Sequence, residues 1–278
     1  MAVVALQVEH DSVDPEAIDV WVNGWVGANP CRFRLDTGAG TCRVPTTDAT
    51  RDLPTTGIDP GVAASGIGLG EDVIEIPVLR IGDLDIADVA STRTPPGGDV
   101  VPLLGMSALG RYRCDFHFSA GHMELADSPA TGTDTWFELN MHASGQPTMP
   151  VRFGDLEVVG CLDTGAGLTV VDTQFARTHP DLFEPIRAAV GIDASGVQMS
   201  TQIALMRDCS IGDVAFTANA CAVVDLSALN AHLRQRANAE GRNSQPMSFI
   251  IGMPHINQAD WTFDFPAGRW TLRLPCAG

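Results

Sequence analysis

The stretch "CRFRLDTGAGTCRV" (Cys31–Val44) closes an alternating apolar run with an acid, a threonine and two glycines. A second stretch, "VVGCLDTGAGLTVV" (Val158–Val171), repeats the run, the acid and the glycines, with Asp163 lying 127 residues after Asp36. Further matches keep the same order. "ASG" at 64–66 pairs with 194–196, and "IGD" at 81–83 with 211–213, both at an offset of 130. "PLLGM" (102–106) pairs with "FIIGM" (249–253), and "FHFSAG" (116–121) with "FDFPAG" (263–268), both at an offset of 147. Conserved order and slowly growing offsets mark an internal duplication.

The offsets also locate the differences. The last step, from 130 to 147, adds 17 residues to the second copy between Ile211 and Phe249. Within that insertion Leu226, Leu229, Leu233 and Ala237 recur at helical spacing, with Asp225 as N-cap and Gly241 as stop, so a helical insertion is expected over about 225–242. The segment "ADSPATGTD" (126–134) is small, polar and Pro/Gly-bearing. It divides the chain into a first lobe over 1–127, a linker over 128–134 and a second lobe over 135–278.

Elsewhere the texture is β. "AIDVWVNGWV" (17–26) carries Asn-Gly between apolar residues and predicts a hairpin about Asn23-Gly24. "DVIEIPVLRIGDLDIADV" (72–89) reads as two strands about Gly82-Asp83, and 200–224 repeats that pattern. Helical periodicity is confined to 106–110, 172–178 and 225–239. The fold class read from these patterns is all-β with a few short helices. Trp21, Trp25, Trp136, Trp261 and Trp270 lie in strand-like runs and are expected in the core.

The 278 residues are 45% hydrophobic and 18% charged, a globular mix. The formal charge of −17 argues against nucleic acid, which needs a basic footprint. No apolar run approaches a membrane span, and the opening "MAVVALQVEHDSVD" lacks the basic and apolar regions of a signal peptide. Seven cysteines with no CxxC pair suit a reducing compartment, so a cytoplasmic location is expected. The seven histidines show no HExxH and no Cys/His ligand spacing, so neither a metal nor a cofactor is expected. "GIGLG" (66–70) lacks the third glycine of a dinucleotide loop, and "GMSAL" (105–109) is not a serine-nucleophile elbow.

A carboxylate at the end of an apolar strand is costly to bury without partners. Two such turns placed face to face across a pseudo-two-fold axis would set the carboxyls side by side, with the threonines bonding across the seam. Neighbouring carboxyls then share one proton, one acting as base on a water and the other as acid toward a carbonyl oxygen. That chemistry hydrolyses an amide without a metal, and a singly protonated pair implies an acidic to mildly acidic optimum.

DTGA in each half, followed by "LLG" (103–105) or "IIG" (250–252), resembles the retropepsin-like aspartic proteases. The resemblance covers nearly the whole chain and suggests a fused, bacterial-type pseudo-dimer with the two-lobed acid-protease fold. It implies Asp36 and Asp163 as the catalytic pair, Thr37 and Thr164 as an inter-lobe grip, and Gly38 and Gly165 as the turn formers. It further implies flaps carrying Ser65, Gly66, Ile67 and Gly68 in the first lobe, and Ser195 and Gly196 in the second. Pepsin-like enzymes carry a flap tyrosine; here the only tyrosine is Tyr112, which favours two similar flaps. The expected activity is that of an aspartic endopeptidase acting, as a monomer, on an extended protein or peptide. The alternative is a peptide-binding module that does not cut. Arg234, Arg236 and Arg242 in the insertion suggest a docking or specificity element.

Overall fold

The computed structural model describes residues 1–59, 61–96, 101–130, 135–142, 145–193, 195–239 and 246–275. Three sheets carry the fold, and the all-β expectation holds. The strand Ile18–Val26 turns at Gly27-Ala28 into the strand Asn29–Leu35, which leads to Asp36. Inward residues Val20, Val22, Phe33 and Leu35 are fully buried, as the two-residue period of a pleated strand demands. In the second half Pro147–Phe153 and Leu156–Leu162 repeat this arrangement and lead to Asp163.

One crossover decides where the acids sit. The short strand Leu103–Leu104 lies parallel to Asn29–Leu35, while on its other side Arg43 of the antiparallel strand Cys42–Val44 opposes Leu103. Phe249–Ile251 is inserted in the same way between Leu156–Leu162 and Thr169–Asp172. Each apolar-apolar-Gly motif is therefore hydrogen-bonded directly beside the strand that ends in its acid. Outward from there the first half continues through Leu84–Arg93 and Asp72–Ile81, joined at Gly82-Asp83 as expected. The second continues through Asn219–Val224, Gln198–Met206 and Phe183–Ile192.

The third sheet belongs to both halves. Its order is Ala2–Ala5, His122–Ala126, Arg113–His117, Asp260–Asp264, Arg269–Arg273, Phe137–Glu138, three strands from each side of the duplication. The central seam pairs Arg113–Phe116 with Asp264–Trp261. Beneath it Cys114, Phe116, Trp261, Phe263 and Trp270 are buried in a core continuous across both halves. Each large side chain contributes about 1.5–3 kcal/mol of burial. The linker at 128–134 is described only as far as Ala130, whose carbonyl accepts from Arg269 (3.1 Å).

Three sequence expectations are corrected. The strand Ile18–Val26 runs straight through Asn23-Gly24, with no hairpin there. Gly24 serves close approach instead: a Cβ would meet Arg80 O at 2.5 Å and Ile81 Cδ1 at 2.7 Å on the neighbouring strand. Of the five tryptophans only Trp261 and Trp270 are core residues. Trp25 is 38% exposed, Arg32 stacks on Trp21 and Arg269 on Trp136. A four-residue helix, Met253–Ile256, mirrors Met106–Leu109 and was not expected.

The helix Thr173–Thr178 and the insertion helix Ser227–Ala239 form as read. Leu226, Leu229, Leu233 and Ala237 are buried, and Asp225 Oδ1 accepts from Ser227 N (2.9 Å). The expected stop at Gly241 lies outside the described residues. Six cysteines are free thiols, and Cys276 lies outside the described residues. Among the described residues no helix is long and apolar enough to cross a membrane.

Candidate active site

Backbone pairing aims the two acids. Asp36 N donates to Leu104 O and Asp163 N to Ile251 O, both at 3.0 Å. Met106 N then reaches Ala39 O, and Met253 N reaches Ala166 O, both at 2.9 Å. A Cβ on Gly105 would collide with Thr41 O, and one on Gly252 with Leu168 O, so neither position admits a side chain. Each acid turn is thus clamped against its own apolar-apolar-Gly motif.

The threonines bond across the seam. Thr37 N donates to Thr164 Oγ1 (3.0 Å), and Thr164 N donates to Thr37 Oγ1 (3.1 Å). Thr37 Oγ1 also donates to Leu162 O (2.9 Å). Both threonines are buried, so each bond forms where water cannot compete. This lock brings the glycines against the opposite acids: a Cβ on Gly38 would collide with the Asp163 carboxyl, and one on Gly165 with that of Asp36.

The carboxyls of Asp36 and Asp163 come together at the seam, each against the glycine of the opposite turn, and each acts on the other's ionisation. Both residues keep a small accessible surface, but their carboxyls are desolvated. Burial pushes Asp36 up to about 8, the Asp163 charge adds to the rise, and Ala39 N–H and Arg34 oppose it. Burial also raises Asp163, against hydrogen bonds from Gly165 N (2.8 Å), Asp36 and Ala166. Burial thus raises both acids, so the pair holds a proton well above the ordinary carboxylate range. Arg34, two residues before Asp36, is held by Asp19 (2.9 Å) and is the nearby cation that restrains both shifts.

The flap residues occupy two hairpin tips. The first tip spans the bridge between Val62 and Gly68, with Ala63 N donating to Ile67 O (3.0 Å) and Gly66 at φ +80°. The second lies between Phe183–Ile192 and Gln198–Met206, with Asp193 N donating to Val197 O (3.1 Å) and Gly196 at φ +81°. The tips touch: Ser65 N donates to Asp193 Oδ2 (2.9 Å). Asp193 Oδ1 accepts from Ser195 N (2.9 Å) and Ser195 Oγ (2.6 Å). Burial works against the Asp193 charge, but these bonds outweigh it and hold the carboxyl below its usual range. Ile67 is 46% exposed.

Several residues at the site carried no motif. Asp193 stands where the first repeat has Ala63, so a difference between the copies was its signal. Gln146 Nε2 donates to Gly38 O (2.8 Å) with no sequence mark at all. The insertion helix packs on the first hairpin: Gly66 lies against Ala228, and Val62 and Ala64 join Leu226, Leu229 and Leu233 in one apolar cluster. That cluster includes Ala166 and Leu168, just after Asp163, and so ties helix, tip and second acid turn together. Removing the helix would uncover the cluster, so its apolar face is part of the fold; of the arginines expected to dock a partner, Arg234 is exposed and Arg242 lies outside the described residues.

No family model matches the chain, and no curated protein sequence matches it. Among solved structures, conglutin gamma, described as a unique basic 7S globulin from lupine seeds, aligns over 98% of this chain and 95% of its own. The TM-score is 0.53 at 11% sequence identity. The two proteins share a fold. This finding overturns the assignment to the retropepsin-like aspartic proteases, and with it the bacterial-type fused pseudo-dimer. The likeness is one of fold alone, and the short DTGA and LLG/IIG motifs do not by themselves carry a family.

Proposed function

We propose that the chain is an aspartic-type endopeptidase: a two-lobed acid-protease arrangement in which Asp36 and Asp163 hydrolyse a peptide bond lying between the lobes. The observation that carries the reading is the pair of carboxyls set together by the threonine lock, each packed against the glycine of the opposite turn and both raised by burial; the mechanism starts with the shared proton on Asp36. In this mechanism the Asp163 carboxylate takes a proton from water as its oxygen attacks the scissile carbonyl carbon. Asp36 donates its proton to the carbonyl oxygen, giving a neutral tetrahedral diol. Collapse breaks the C–N bond as the proton on Asp163 passes to the leaving nitrogen, and a diol proton returns to Asp36. Thr37, Thr164, Gly38 and Gly165 position the pair.

The substrate is an extended protein or peptide segment. Its natural neighbours are the hairpin tips around Ser65–Gly68 and Ser195–Gly196, with main-chain pairing supplying affinity. Buried, unpaired thiols support a reducing, cytoplasmic setting. A second reading, a module that binds peptides without cutting them, is favoured by the direct Ser65–Asp193 contact that closes the tips.

The test is cleavage of an unstructured protein across pH 3–9 by wild type, Asp36→Asn and Asp163→Asn. Each substitution is expected to lower the rate by about 10³-fold. The wild-type profile should be bell-shaped, its alkaline limb falling near the Asp36 value of about 8. Peptide binding without cleavage by the wild type would establish the second reading instead.

A further inference from the structure

We propose that His117, His122 and Glu124 bind a divalent transition-metal ion of the zinc class on the polar face of the shared six-stranded sheet, in a site separate from the aspartate pair. The hairpin Arg113–His117/His122–Ala126 sets His117 directly opposite His122, and Asp115 opposite Glu124. Side chains two residues apart on a strand share a face, so His122 and Glu124 point the same way as His117. The alternate residues Cys114, Phe116, Met123 and Leu125 fill the core, which leaves the polar set on the other face. The imidazole rings lie 4.8 Å apart, and ligand atoms from all three side chains fall within 4.8 Å of one another.

Three features favour an ion over a simple polar patch. First, Asp260 from the neighbouring strand accepts from His117 Nδ1 (3.2 Å), which fixes the tautomer and leaves Nε2 as the free donor atom. Second, Asp260 Oδ1 is buried without a partner, and His122 Nε2 stands 4.0 Å from Glu124 Oε1, close without closing a short bond. Third, Arg113 is occupied by Asp115 at 2.9 Å, and Arg273, 71% exposed, stands off from Asp260 Oδ2 at 4.0 Å, so neither cation fills the space between the two imidazoles and Glu124. A tetrahedral zinc ion with bonds of about 2.0–2.2 Å needs its ligand atoms about 3.3 Å apart. Side-chain rotation of roughly 1.5 Å closes the present set to that size. The fourth position falls to water from the adjoining cavity, which His117, Glu124 and Asp260 help to line. Two imidazoles and one carboxylate select zinc, cobalt or nickel over calcium or magnesium.

Binding would tie the two halves together, since the three ligands come from the first half and their orienting aspartate from the second. The experiment titrates chelator-treated full-length protein with Zn²⁺ by calorimetry and with Co²⁺ by visible absorption. One ion per chain and a tetrahedral Co²⁺ band are expected. His117→Ala, His122→Ala and Glu124→Gln should each weaken Zn²⁺ binding by about tenfold or more, and Asp260→Asn by about 10–100-fold. His10→Ala and Asp36→Asn should leave it unchanged, and circular dichroism should show every variant folded. Absence of Zn²⁺ binding in the wild type would overturn the proposal. So would equal affinity in the folded Glu124→Gln and His122→Ala variants.

Discussion

In the first half Gly105 N donates to Cys42 Sγ (3.3 Å), and Cys42 N is held by Ser107 Oγ (2.9 Å). In the second half Gly252 N donates to Thr169 Oγ1 (3.0 Å), and that hydroxyl is joined to the buried His255 Nδ1 (2.8 Å). The backbone is the same in both, and the side chains behind it differ. The hairpins differ as well. The tip of the first lies against Ala228 of the insertion helix, while the second lends Ala189, Met199 and Ile203 to the same cluster and leaves Ile186, Val190 and Ile192 exposed at 52%, 63% and 70%. Duplication preserved what aims the acids and let their supports diverge. A symmetric scaffold can then hold two chemically unequal carboxyls.

The largest expected effect tests the first hairpin. Leu233→Ala should cost about 2–5 kcal/mol, because it opens a cavity in the cluster that joins helix, tip and second acid turn. Amide exchange should quicken at Ala63 and Gly66 more than at Gly196. Equal acceleration at both tips would show that the helix does not distinguish them.

His255 gives the halves opposite responses to acid. Burial holds its imidazole down, to about 4 from an ordinary 6.5. Between those values the unfolded chain binds the proton and the folded chain does not. Stability present above pH 6.5 is therefore lost as pH falls through about 4, by about 3 kcal/mol. Asp36 works the other way: the folded state keeps its proton up to about 8, so its contribution favours acid and is lost as pH rises from about 4 to 8. His255→Ala, which copies the matching Ala108, should flatten the acid loss in urea denaturation at pH 7 and pH 4.5. Asp36→Asn should flatten the alkaline one.

The seam is next. Thr37 Oγ1 makes two hydrogen bonds and Thr164 Oγ1 one. Thr37→Val should therefore be the more destabilising by about 1 kcal/mol in denaturation midpoints. Equal costs would mean that the seam is symmetric in solution. The smallest effect belongs to Asp193→Ala, which makes the second tip copy Ala63. It should cost about 1 kcal/mol and speed exchange of the Ser65 amide while leaving the global midpoint almost unmoved.

The acid turns, their threonines and the apolar-apolar-Gly motifs were legible in the sequence because each lies within a few residues and occurs twice. The Gly82-Asp83 turn and the insertion helix were legible for a related reason, since local periodicity reports local backbone. Asn23-Gly24 misled because its glycine answers to a strand more than fifty residues away, a close approach that no local pattern encodes. His117 and His122 become partners only when the hairpin sets them opposite each other, and Asp260 reaches them only through the seam between halves.

The sequence by itself determined the duplicated plan and the identity of the paired acids, since both are carried by short motifs whose chemistry is local. Only the tertiary structure decided that the halves share one sheet, that the helix of one half holds the hairpin of the other, and that burial raises both acids together. Those outcomes depend on burial and on contacts between residues distant in the chain, which exist only after the chain has folded.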